Sequence, residues 1–471
     1  MVRRVFVLIP LIFLSSCMNE ASDPFALSPD SPYSTWAPMK GNTMISSRYC
    51  QTLLPPTFGI EELNLAELID ISLQNNPTTR QTWAMARAMA AQYGQSLSNF
   101  YPNVQFAGQY TRMRGTFIQE GPPTAFYTTT AGPDVLLTYT LFDFGQRSSA
   151  SVAAREALFN ADWTHNQQIQ MVIQDIMNDY YQYLYQLKAQ KAAEANLENA
   201  QAALDAANQK FSLGLAALGD VAQARTQFLQ SKINLTTQKQ NVENTFAQLA
   251  VDMGVPANVS FKVQPMPEQI EASLLLESVD ALVSSAQEQR QDLKAAQADL
   301  RAKEALLLNA KRSVLPVFSS TLDVGKYWFQ QGAVEKLHWY AEISLNIPLF
   351  RGYFYKNQWK NAEANLEKSQ AQLMQTELSI IQHVTIAHMN VKTSAQNLQD
   401  TQEYLKAAEL GFNIALSGYK AGTATILDVL SAQSNVADAR SKKAGSQRDW
   451  FLSLASLSYA TGSLCLPKEE L

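Results

Sequence analysis

Few residues of this chain could do chemistry, and none is spaced to do it together. Four histidines, His165, His338, His383 and His388, are dispersed along the sequence. His383 and His388 stand five apart, which on a helix turns them onto different faces and argues against a shared metal. There is no GxSxG, P-loop, CxxC or HExxH pattern. Methionines are scattered, so no copper-handling path is indicated. Tyr180, Tyr181, Tyr183 and Tyr185 crowd one stretch that helix packing explains more simply than ligand binding. The chain reads as a non-enzyme. Its suggestive polar residues instead sit beside glycines: Asp220 after Gly219, Tyr419 three before Gly422, and Asp428 six after it.

Cysteine carries the other signal. Arg3 and Arg4 precede an apolar run from Val5 to Leu14, which is too short for a membrane span and reads as an export signal. Leu14-Ser15-Ser16-Cys17 resembles the bacterial lipoprotein box, so residues 1–16 are expected to be removed and Cys17 lipidated. The alternative is a conventional signal with an incidental cysteine. Met18 after the cysteine favours the outer membrane. Apart from this covalent lipid, no cofactor is expected. Cys50 and Cys465 flank the whole repeated region and form either a disulfide or two unrelated thiols. The net charge of −5 excludes a polyanion-binding surface as the main theme, so no nucleic-acid partner is expected. No later segment has 18 consecutive apolar residues, which excludes a transmembrane helix but not membrane strands.

The elements that must position these residues come in two copies. Ser212-Leu213-Gly214 with Asp220-Val221 returns as Lys420-Ala421-Gly422 with Asp428-Val429, offset by 208 residues. Met253-Gly254 and Thr461-Gly462 keep that offset, while Asn76-Pro77 and Arg290-Gln291 differ by 214. A tandem duplication explains the pattern, with about six residues lost where a loop tolerates it. Residues 17–59, rich in Pro, Ser and Asp, read as an anchored strap; 60–254 is the first repeat, 255–275 a linker, 276–462 the second repeat and 463–471 a tail.

Each repeat reads as a moderate helix (Glu61–Asn99, Leu276–Ser313), two strands, a very long helix, a glycine turn and a returning helix. Arg147 to Leu213 and Tyr353 to Leu410 contain neither Gly nor Pro. At 1.5 Å per residue the first extends roughly 100 Å. Leu197, Ala200, Leu204, Ala207 and Phe211, and the heptad series Leu366, Leu373, Ile380 and Ala387, are coiled-coil seams. Alternating segments at about 103–112, 134–143, 317–328 and 339–350 read as strands, apolar on one face and polar on the other. That is the signature of a lipid-facing, water-filled barrel. Four strands cannot close one, so subunits must share it.

These residues resemble the TolC/OprM family of outer-membrane efflux channels, and the lipidated start is closer to the OprM-like branch. The resemblance rests on Asn75-Asn76-Pro77, Tyr101-Pro102, Leu141 to Gly145 with its copy Pro348 to Gly352, Gly214 to Ala222, and Tyr419 to Gln433. It implies a mainly α chain with membrane β, in a trimer with a twelve-stranded outer-membrane barrel continued by a periplasmic α-helical barrel. The implied function is the passive exit duct of a tripartite system exporting small molecules. Implied partners are two further copies, a periplasmic adaptor, a proton-driven inner-membrane pump and outer-membrane lipid. A type I protein-secretion duct and a lipid-anchored coiled-coil scaffold are the alternatives; the scaffold does not explain the strands.

The resemblance puts Gly214, Leu215, Gly219, Gly422 and Thr423 at the periplasmic tip, where the adaptor docks. Asp220 and Tyr419 then hold a closed gate by a hydrogen bond, and Asp428 lies in an acidic ring. The residues themselves permit a plainer reading. Gly214 and Gly422 suit left-handed helix ends, and Asp220 suits a cap on the returning helix, as Thr423 or Thr425 does in the second copy.

Overall fold

The computed structural model describes residues 24–29, 31–36, 62–117, 124–265, 278–329 and 334–465. Cys17 and Cys50 lie outside the described residues, as does the side chain of Cys465. The elements run β1 (Glu62–Leu63), α1 (Leu65–Asn75), α2 (Pro77–Ser98), β2 (Asn103–Phe117), β3 (Thr124–Phe142), α3 (Gln146–Ser212) and α4 (Leu218–Asp252). Then come β4 (Lys262–Val263), α5 (Val279–Gln289), α6 (Gln291–Arg312), β5 (Val317–Phe329), β6 (Val334–Asn346), α7 (Phe354–Ala421) and α8 (Ile426–Thr461). Among the described residues no helix is long and apolar enough to cross a membrane. Two compact units are formed: Met1–Pro29, Met85–Asp162 and Lys294–Met374, and Asp30–Ala84, Trp163–Leu293 and Gln375–Leu471.

The first unit holds a four-stranded antiparallel sheet in the order β2-β3-β5-β6. Its strands extend past the alternating stretches. β3 begins at Thr124 because Gly132 and Pro133, which resemble a turn, lie inside the strand. Proline has no N–H to give, and the pairing with β5 lapses between Ala131 and Asp134. β6 ends at Asn346, before Pro348, so Ile347 to Phe350 are not strand. Val104, Phe106, Trp339 and Ile343 are 58, 77, 68 and 75% exposed on one face. The other face carries Gln105, Gln109 and Tyr327, with Gln109 Nε2 donating to Tyr327 Oη at 2.7 Å. Below the sheet, alanines such as Ala86, Ala153, Ala298 and Ala302 are buried and bring helices close. Arg301 Nε donates to Glu156 at 2.7 Å and Asn160 Nδ2 to Ala295 O at 2.8 Å.

Strand passes to helix differently in the two copies. Asp143 caps α3, accepting from Gly145 N at 3.1 Å and from Arg147 N and Nε at 2.8 and 2.9 Å. The second copy has Arg351 beside Gly352 and no such carboxylate.

The second unit has an apolar core of Leu68, Ile71, Val172, Ile176, Leu249, Met253 and Phe261, which joins α1, α3 and α4. Tyr180 belongs to this core, Tyr181 stacks on Phe451 at 4.7 Å, and Tyr183 meets Phe246. β1 and β4 form a short parallel bridge, and the Asn166 amide exchanges two hydrogen bonds with the Trp36 backbone at 2.7 and 2.6 Å.

The expected single helix from Glu61 to Asn99 is two. Asn76 adopts extended geometry (ψ 125°) because it precedes Pro77, which disfavours the helical region. Leu276–Ser313 is likewise divided, at Arg290, with no proline involved. There Arg290 pairs with Asp292 at 2.6 Å and Nη1 donates to Ala460 O at 3.3 Å. In the first repeat Asn76 Nδ2 donates to Asp252 O at 2.8 Å. Asp252 and Ala460 are equivalent under the 208-residue offset.

Candidate functional site

The second unit contains both glycine turns. At the end of α3, Gly214 takes φ +68°, and its N–H reaches Phe211 O while Leu215 N reaches Lys210 O at 2.8 Å. At the end of α7, Gly422 takes φ +87°, with its N–H on Tyr419 O and Thr423 N on Gly418 O at 2.9 Å. Both are Schellman closures, for which a residue without a Cβ is the natural choice. Around them Ala203, Ala206, Ala207, Phe412, Tyr419, Ile426 and Val429 form a second buried cluster. Leu213, Leu215 and Leu218 remain 71, 71 and 67% exposed.

The returning helices start differently. α4 begins at Leu218 with Ala217 as an N-cap that offers no side-chain bond. Gly219 is therefore inside the helix rather than in the turn, and Asp220 is not the cap. Its carboxylate lies in the first turn, where the helix dipole favours negative charge. In the second copy Thr425, not Thr423, is the cap. Its Oγ1 accepts from Asp428 N at 3.3 Å, and the Asp428 carboxylate accepts from Thr425 N and Oγ1 at 2.8 and 2.7 Å. The Thr425 hydroxyl, and secondarily its backbone N–H, hold Asp428 below the usual carboxylate range. Thr423 Oγ1 instead donates to Gly418 O at 3.2 Å.

Tyr419 is 3% exposed, and its hydroxyl has no hydrogen-bond partner among the described residues. The bond to Asp220 that the resemblance implies is not formed here. Asp220 is still close enough to act by charge: burial first, and that carboxylate second, push the Tyr419 phenol up. The contact that sequence reasoning missed is Lys210, whose Nζ lies 4.3 Å from the centroid of the Tyr419 ring. Its position four residues before Gly214 was the available signal, since a cation in the last turn suits a helix C-terminus. A cleft of ≈ 580 Å³ is lined by Lys210, Leu215, Asp220, Tyr419 and Thr425 among others. Among the described residues no nucleophile–base pair lies here; the arrangement offers apolar packing, charge and a cleft.

The histidines do not converge. His165 is buried, with Nδ1 2.9 Å from Thr82 Oγ1, and burial pushes it down to about 4 despite the Ser34 backbone, so it is neutral. His338 lies against Tyr327, and His383 lies 3.5 Å from Ser379. Among the described residues no group of His, Cys, Asp and Glu could hold a metal ion.

Comparison with known proteins places this geometry. The family model described as outer membrane efflux protein matches residues 68–255 and 282–463. Protein CyaE of Bordetella pertussis is 26% identical over 401 residues, 82% of this chain and 81% of that protein. The toluene efflux pump outer membrane protein TtgC of Pseudomonas putida is 24% identical, covering 84% of this chain and 82% of its own. The crystal structure of the outer membrane protein VceC from Vibrio cholerae superposes with a TM-score of 0.74 at 20% identity, covering 84% of this chain and 96% of that one.

Proposed function

This chain belongs to the outer membrane efflux protein family, and we propose that it works as a trimeric outer-membrane channel, the passive exit duct of a tripartite system for small molecules. The observation that carries the reading is the four-stranded sheet. It is bare and apolar on one face, and its outer strands β2 and β6 are each paired on one side only. In lipid such edges must be closed, and three copies closing twelve strands satisfy every backbone group. The helices agree. Leu378, Leu410 and Ile414 of α7 are 62, 62 and 64% exposed, apolar faces that neighbouring copies would cover.

At the helical tip the exposed leucines around Gly214 offer the adaptor its contact, and the adaptor recruits the inner-membrane pump. Tyr419, Lys210 and Asp220 hold the two hairpins closed by packing and charge, and Asp428 contributes negative charge at the mouth. Cys17 carries lipid that anchors the strap, and Cys50 and Cys465 are its candidates for a disulfide.

In-cell crosslinking from residues placed at the Gly214 and Gly422 turns, followed by membrane pull-down and mass spectrometry, tests this. An adaptor with a proton-driven pump is the expected capture. An ATP-driven partner would move the assignment to protein secretion, and cell-wall material without any pump would refute the duct.

A further inference from the structure

The outward face of β2 and β3 changes character along its length. On β3, Leu137, Val135, Pro133 and Ala131 share the face of Val104 and Phe106 through the strand register, Tyr139 joins them through its pairing with β5, and Leu141 follows by alternation. Ten residues at about 3.4 Å, tilted about 40°, give an apolar height of about 26 Å, the hydrocarbon thickness of an outer membrane. Beyond Ala131 the face turns basic. Arg112 pairs in register with Thr129 and Arg114 with Tyr127, and both arginines are exposed. Both guanidinium carbons lie 5.8 Å from the centroid of the Tyr127 ring, so one aromatic flank orients two cations. Tyr127 is about 10 Å past the apolar band by the same count, which is headgroup depth.

The pair stands at the hairpin end of the strands, opposite the end that leads into α2 and α3. On the channel reading, with helices in the periplasm, that end faces the outer leaflet. Among the described residues, β2 and β3 place no carboxylate on this face; Asp134, the nearest in β3, is on the other.

We propose that Arg112 and Arg114 form a binding site for the phosphate groups of the outer-leaflet glycolipid. Planar guanidinium forks match phosphate oxygens in pairs. A site at this depth would seat the lipid phosphate while its acyl chains lie on Tyr110, Phe106 and Val135. The inference rests on the channel reading, because it requires the sheet to stand in a membrane.

The test is native mass spectrometry of the purified full-length trimer, titrated with bis-phosphorylated lipid A, dephosphorylated lipid A or phosphatidylglycerol. The expected result is retention of the bis-phosphorylated form about tenfold over the dephosphorylated one, lost in Arg112→Gln/Arg114→Gln and partly kept in Arg112→Lys/Arg114→Lys. Equal retention of both lipid A forms, equal retention of phosphatidylglycerol, or full retention by the glutamine variant would overturn the site. Trimer mass and heat-modified gel mobility separate the two readings. A wild-type chain that forms no membrane-inserted trimer defeats the channel itself; an intact trimer without phosphate preference defeats only the lipid site.

Discussion

Lys210 Nζ sits 4.3 Å from the centroid of the Tyr419 ring, while the hydroxyl of that tyrosine bonds to nothing among the described residues. The contact between the two hairpins therefore uses the face of the ring, not its oxygen. Removing a buried, unpaired hydroxyl should cost nothing and stabilise by about 1 kcal/mol. Tyr419→Phe is expected to leave single-channel conductance in planar bilayers unchanged, whereas Lys210→Gln with Asp220→Asn should raise it. Opening by Tyr419→Phe alone would show that the hydroxyl acquires a partner on assembly.

The cap on α8 is reciprocal, since Thr425 and Asp428 each bond the other's backbone. Thr425→Ala should destabilise the second hairpin by about 1 kcal/mol, read as a lower thermal midpoint. Thr423→Ala, which removes only the hydroxyl's bond to Gly418 O and no helix cap, should have a smaller effect. Reversal of that order would mean the helix begins elsewhere.

Burial pushes Asp162 up from 3.8 to about 8, and neither of its carboxylate oxygens has a partner among the described residues. The folded chain holds this proton more tightly than the unfolded one. Its contribution is complete below pH 3.8 and is lost as pH rises through about 8. Asp162→Asn should thus raise the melting temperature at pH 8.5 by several degrees more than at pH 5. An equal shift at both would show that the carboxyl is ionised throughout.

On the sheet, Leu137→Arg or Ile343→Arg places a cation on the apolar face. Near mid-membrane, at Leu137, this should weaken assembly by about 2–4 kcal/mol, and by less at Ile343, which stands level with Tyr139 towards the edge of the apolar band; both are read as loss of trimer on unheated gels. Normal trimer yield would argue that this face does not meet lipid.

If Cys17 is lipidated, growth in labelled palmitate should mark the chain, and Cys17→Ser should abolish the label. Persistent labelling would place the acyl chains on another residue.

The long helices and the four strands were legible because each rests on a pattern many residues long. Arg147 to Leu213 lacks every helix breaker, and α3 covers nearly that span. What was not legible depended on single long-range contacts. Arg290 breaks a helix by reaching the carbonyl of Ala460, which no local propensity announces. Pro133 and Gly132 look like a turn until β2 supplies a partner on one side. At the tip, Gly219 suggested a boundary, but Leu218 starts the helix because a glycine is tolerated in a first turn. The Tyr419 environment was half visible: Asp220 by resemblance, Lys210 only as a cation in the last turn of α3.

Asn76 and Arg290 each fasten a short helix to the hairpin that follows within the same repeat, at the equivalent carbonyls of Asp252 and Ala460. Neither clasp borrows a residue from the other half. An ancestor one repeat long would already have carried its own closure, and six such chains could have stood where three doubled ones are proposed here. Fusion of two such chains would remove the need for the halves to remain alike. A neutral amide and a charged guanidinium now do the same job on either side of a symmetry the gene no longer enforces.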